Sequence, residues 1–271
     1  MNPRRVFAVL LRQIYLYRRS FTRILDVFYW PTVDLLLWGF VTLYLEKAGT
    51  EMLEKAGTEM PHYVSFFLGG LILWNILLRA QQGISVSFLE DIWARNLLNL
   101  FVSPLTISEY LLGLVLVSVV KVLIAFLVMG ALAAFFFDFH VLVLGGSLLP
   151  FVLNLCALGW AIGLVTMAAI LRFGQEAEIL AWALAFLFLP VSAVFYPVEV
   201  LPPFLQKLAT WVPSSYVFEG MRQVILEGSL KLGPLLKASL LNMAYLGGSY
   251  LIFLRVHHGA LLRGTIPKIG E

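Results

Sequence analysis

The chain has 271 residues, of which 61% are hydrophobic and 13% charged, with a formal net charge of +3 and a mean hydropathy of +0.90. Soluble domains carry about 25% charged residues, so this composition excludes a soluble domain and indicates a single integral membrane domain. The lone Cys156, inside an apolar segment, excludes an internal disulfide and a metal site of several cysteines.

Residues 1–26 form a leader. Projected as a helix, Val6, Phe7, Leu10, Ile14, Tyr17, Phe21, Ile24 and Leu25 fall on one arc of about 100°, and Arg4, Arg5, Arg12, Arg18, Arg19 and Arg23 on an opposing arc of about 140°. The pattern predicts an interfacial amphipathic helix whose arginines face anionic headgroups, each contributing about 1 kcal/mol. Such a helix anchors topology or also grips a cytoplasmic partner. It is not expected to be a cleaved signal, because the apolar run stops at Arg12 and no small-residue cleavage site follows.

The membrane domain, residues 27–271, has six segments near the roughly 20 apolar residues that cross a bilayer. They are Val27 to Leu45, Tyr63 to about Phe88, Tyr110 to Phe137, Val141 to Leu171, Ile179 to Tyr196 and Leu235 to Val256. An even number of spans puts both termini on one side, and the arginines of the leader with Arg255, Arg263 and Lys268 of the tail make that side cytoplasmic. The first external loop contains an octapeptide, Leu45 to Met52, repeated as Leu53 to Met60. Eight residues match no solenoid period, so the repeat reads as a duplication tolerated in an exposed loop.

The cytoplasmic connection 89–109 contains Glu90, Asp91, Ile92, Arg95, Asn96, Leu97 and Leu100. Thr106 and Glu109 then have the spacing of a capping box that starts the third span. The connection predicts a short amphipathic helix, which serves for docking or merely connects. A second, shorter cytoplasmic turn carries Arg172, Gly174, Glu176 and Glu178.

Between the last two spans, Pro197, Pro202, Pro203 and Pro213 cut the external segment 197–230 into short helices. Broken backbone at membrane depth is tolerated only where protein buries it or where it lines a cavity, which points to a transport path. Glu219 and Arg222, at i and i+3, form a surface pair worth about 0.5 kcal/mol or less, or else hold an external gate shut. Asp34 and Lys121 fall inside spans, where charge is costly; they are candidates for a structural ion pair or a place in the path. The aromatic runs Phe28-Tyr29-Trp30 and Phe135-Phe136-Phe137 read as an interfacial belt before a sugar-stacking track.

The ordered set of arginine-rich leader, six spans, Ser103-Pro104-Leu105, Phe173-Gly174, Phe195-Tyr196-Pro197-Val198 with Leu201-Pro202, and Pro213 to Arg222 resembles the permease subunits of bacterial type-2 ABC exporters. The resemblance covers nearly the whole chain; the octapeptide duplication departs from it. It implies an all-α inner-membrane protein in which Glu90 to Leu100 is the helix that couples to an ATPase. It also implies that about Pro203 to Val212 and Ser214 to Glu227 are re-entrant helices closing the path. Two copies would work with two ATP-binding cassette subunits among membrane lipids, without nucleic acid. The chain has no Gly-x-x-x-x-Gly-Lys-Ser/Thr loop, so ATP and magnesium are expected on the partner, and no catalytic residue or metal ligand is expected here. Family members export polysaccharides, lipid-linked compounds, antibiotics and other lipophilic molecules. The rival reading is a proton-coupled secondary transporter, which would use Asp34 but for which no internal repeat speaks.

Overall fold

The computed structural model describes residues 1–54 and 63–263; residues 55–60 of the octapeptide repeat lie outside them. The described residues are helical, without strands. α1 (Pro3–Arg18) is followed by α2 (Phe21–Glu54), α3 (Tyr63–Trp93), the short α4 (Leu97–Val102), α5 (Ile107–Phe137) and α6 (Leu148–Phe173). Then come α7 (Leu180–Ala183), α8 (Pro203–Ala209), α9 (Pro213–Glu227) and α10 (Leu232–Arg263).

Helix ends follow local chemistry. The Asn2 side chain accepts from the Arg4 amide (3.0 Å) and Pro3 occupies the first turn, where no amide donor is needed. The leader helix stops at Arg18, and Phe21 to Asp26, read as its continuation, open α2 instead. α5 begins on the expected capping box: the Glu109 amide donates to Thr106 Oγ1 (3.3 Å), and the Thr106 amide to Glu109 Oε2 (3.0 Å). α9 ends at Gly228 with φ +65°, the left-handed conformation that glycine adopts without strain.

Among the described residues, four stretches are long and apolar enough to cross a membrane: Phe21–Ala48, Val64–Trp93, Ile107–Phe137 and Val141–Phe173. The fourth opens with a tight 3-10 segment, Val141–Ser147, before α6. The expected sixth span, α10, has the length, at 32 residues, but not that apolar density. The expected fifth, Ile179 to Tyr196, is not one helix. It consists of α7, a 3-10 turn at Ala185–Phe188 and further turns.

α3 is the centre of the bundle, packed between α5 and α6, and nearly every residue from Leu68 to Ser85 is buried. In lipid the hydrophobic effect does not drive helices together, so close backbone packing must do it. Small residues permit it here. A Cβ on Gly83 would lie 2.3 Å from Ser118 Cβ of α5, and one on Gly159 of α6 would lie 2.7 Å from the Leu77 carbonyl oxygen and from Ala80 Cβ. Around these contacts Leu68, Ile72, Leu77, Phe151 and Phe218 form one core, and Ile84, Phe88, Tyr110, Met167 and Phe253 a second nearer the leader. α2 packs less closely, leaving Trp38, Phe40 and Tyr44 exposed. Phe40 meets Phe137 of α5 edge to face, with ring centroids 5.3 Å apart.

Candidate functional site

The leader-side ends of α1, α2, α3 and α5 meet in a belt of charges. Sequence proximity supplies the acids: Glu90 and Asp91 sit on the last turn of α3, and Glu109 on the first turn of α5. The leader supplies the cations. Arg12 pairs with Asp91 Oδ1, whose other oxygen accepts from the Tyr110 hydroxyl (2.7 Å). Arg23 pairs with Glu90 (3.2 Å), and Arg5 with Glu109 (3.6 Å), which also accepts from the Asn2 amide (2.6 Å). Arg5, Arg12 and Arg23 thus turn toward acids of the same chain and not toward headgroups; Arg4, Arg18 and Arg19 remain exposed.

Burial lowers the Arg12 guanidinium from its ordinary value, while Tyr110 and Glu90 act in the opposite sense. Burial, reinforced by Glu90 and Asp26, raises the Tyr17 phenol. Removing one partner of a buried pair strands the other charge at a cost of about 3–5 kcal/mol, so these contacts fix the leader against α3 and α5.

Asp34 and Lys121 do not pair. Asp34 is half-buried on α2, whereas Lys121 donates to Ser87 of α3 (3.2 Å) with its ammonium over the Tyr17 ring (4.8 Å). The ion pair that crosses this level is Arg79 with Asp26, at 3.9 Å.

The connection between α3 and α5 differs in register from the expected Glu90 to Leu100 helix. α3 runs on to Trp93, the chain reverses at Arg95 with φ +51°, and the short helix is α4. Ile92 and Leu97, on the stretch that the resemblance assigns to coupling, are 3% and 4% exposed and belong to the second core of this chain; Leu100 packs against it. Glu90 and Asp91 are likewise buried in their ion pairs. What faces outward is Trp93, Ala94, Arg95, Asn99 and Val102, with Asn96 half-buried at the turn and accepting from Asn99 (3.2 Å). The Trp93 indole N–H donates to Glu178 (3.0 Å), tying this turn to the second one, where Arg172 lies over the Phe173 ring and Gly174 ends α6. Glu176 is exposed.

At the opposite end, side-chain hydroxyls bond the carbonyls of the broken backbone. Ser192 Oγ donates to the Phe188 carbonyl (2.6 Å), Ser215 Oγ to Ala209 (2.7 Å), Tyr216 to Thr210 (2.7 Å) and Tyr245 of α10 to Trp211 (2.7 Å). Glu219 and Arg222 do more than pair with each other (2.9 Å). The carboxylate accepts the Val198 amide (2.7 Å), and the guanidinium donates to the Val194 carbonyl (3.4 Å), so the pair staples α9 to the turn around Pro197. Next to it Ala193, fully buried, holds φ +54°, a strained conformation for a residue with a Cβ. Pro202 and Pro213 precede or open α8 and α9 as their fixed φ favours.

Tyr110 was not singled out in the sequence, and Glu109 was read only as the capping partner of Thr106. Their signal was the pairing of an arginine-rich leader with acids at two helix ends, which only the fold brings together.

Residues 4–226 match the family described as ABC-2 type transporter. The chain is 27% identical over 165 residues to inner membrane transport permease YadH of Escherichia coli (strain K12), a stretch covering 59% of this chain and 62% of that relative. The same values hold for YadH of Shigella flexneri. The match spans less than two thirds of these relatives. With the family match covering most of the chain, and an all-α membrane architecture, the chain belongs to the ABC-2 type transporter family.

Proposed function

We propose that the chain is the permease subunit of an ATP-driven exporter of the bacterial inner membrane, working as two copies with two separate ATPase subunits that bind ATP and magnesium. Both termini are cytoplasmic, and the short turns from Ile179 to Tyr196 together with α10 complete six crossings. The cargo class is lipophilic, drug-like, lipid-linked or polysaccharide. The observation that carries this reading is the α3 to α4 turn. It presents Trp93, Arg95 and Val102 outward while Arg12, Asp91 and Tyr110 brace it from behind. A protruding, rigidly backed turn suits force transmission from a motor, because a load on it moves α3 and the leader together. The test is co-expression with the candidate ATPase: the two should purify together in equal numbers, and the permease alone should show no ATP hydrolysis. Hydrolysis by the purified chain, or no association with any cassette ATPase, rules the reading out.

A further inference from the structure

A second cluster of cations lies away from the leader. Arg172 at the end of α6 and Arg255 and Arg263 on α10 line one cavity of about 240 Å³, whose remaining walls are Leu171, Val256, Gly259 and Ala260. No carboxylate lines it, and none of the three guanidiniums forms an ion pair among the described residues. Three like charges around one cavity repel one another unless an anion sits between them. Arginine, with its planar fork of donors, is the side chain best suited to phosphate.

Helix length locates the cavity. α6 has 26 residues, about 39 Å, so its last turn reaches the boundary of a hydrocarbon layer about 30 Å thick. Arg255 and Arg263 of α10 line the same cavity as Arg172 and so stand at the same level as the end of α6. Phe173, Leu261 and Leu262 flank the cavity region in sequence and are 63%, 49% and 76% exposed. Apolar side chains beside exposed arginines are the surface of a headgroup layer. They do not suit an acidic protein docking from water.

We infer that this cavity binds the phosphate headgroup of an anionic phospholipid, in the leaflet on the leader's side, with Arg172, Arg255 and Arg263 as its ligands. Naming that leaflet the inner one rests on the orientation proposed above; the site itself does not. Basic cavities between helices at this depth are a recurrent way of holding such headgroups.

The test is native mass spectrometry of the detergent-purified full chain titrated with phosphatidylglycerol, cardiolipin or phosphatidylcholine. The anionic lipids should stay bound and phosphatidylcholine should not. Arg172→Gln and Arg255→Gln should each weaken phosphatidylglycerol binding about fivefold and together about 25-fold, one near-surface arginine being worth about 1 kcal/mol. Arg4→Gln, at an exposed leader position, should leave it unchanged. Gly259→Glu provides a variant that keeps the arginines. An added Cβ there meets nothing within 4 Å, and the new carboxylate should occupy the cavity and abolish retention while thermal stability is kept. Equal loss in Arg4→Gln, or unchanged retention in Gly259→Glu, overturns the site. Displacement of the lipid by millimolar inorganic phosphate overturns the lipid as its source. All these readings are made without ATPase or transport, so they stand or fall separately from the permease assignment.

Discussion

Arg12 and Asp91, 79 residues apart in the chain, form an ion pair in which the carboxylate is 1% exposed. The leader is therefore part of the folded bundle, and the pair is where its loss would be felt. Arg12→Gln should lower stability by about 3 kcal/mol or more, because Asp91 is left buried with only Tyr110 as donor. Arg4→Gln should change it by less than about 0.5 kcal/mol. Replacing both Arg12 and Asp91 with leucine should recover much of the loss. Thermal unfolding in detergent, followed by fluorescence size-exclusion chromatography, separates the three outcomes.

The α3 to α4 turn yields a second contrast. Leu97→Ala removes a core side chain and should cost about 2–5 kcal/mol in this chain itself, with a lowered melting temperature. Arg95→Glu with Val102→Asp alters only outward residues. It should leave melting unchanged and reduce retention of the proposed ATPase partner on an affinity column. Equal retention by the double variant and the wild type would move the docking surface elsewhere.

At the opposite end, Glu219→Ala leaves the Val198 amide without its acceptor and Arg222 with only the Val194 carbonyl, a loss of about 1–3 kcal/mol. The local consequence should be faster thiol modification of a cysteine placed at Leu201, which is buried beside this turn. An unchanged modification rate would show that the staple does not hold the turn.

Topology is open to direct labelling. Cysteines at Glu51 and Leu205 should react with an impermeant maleimide in intact cells, and one at Asn96 only after permeabilisation. External labelling at Asn96 reverses the orientation.

Much of this architecture was legible in the residues. The capping box at Thr106 and Glu109, the helical leader and the proline-cut segment are local patterns, and local patterns survive folding. The faces of the α3 to α4 connection were not legible. An apolar stripe such as Ile92, Leu97 and Leu100 records that something covers it, and the same stripe serves a partner or the chain's own core. Three of the leader's arginines, Arg5, Arg12 and Arg23, were misread for a related reason. A cationic arc matches headgroups and buried carboxylates equally well, and the acids that claim Arg12 and Arg23 lie far away in sequence. Asp34 and Lys121 were matched on charge and depth alone, whereas Lys121 turns to Ser87 and Tyr17.

The closeness of α3 to its neighbours has a mechanical consequence. Where backbones meet at Gly83 and Gly159 with no room for one carbon atom, a helix can neither slide along its axis nor turn about it without collision. α3, α5 and α6 therefore behave as one stiff post. Any opening and closing of a path must be borne by what surrounds that post: the half-exposed α2, the glycine-bearing α10, and the run of turns after α7.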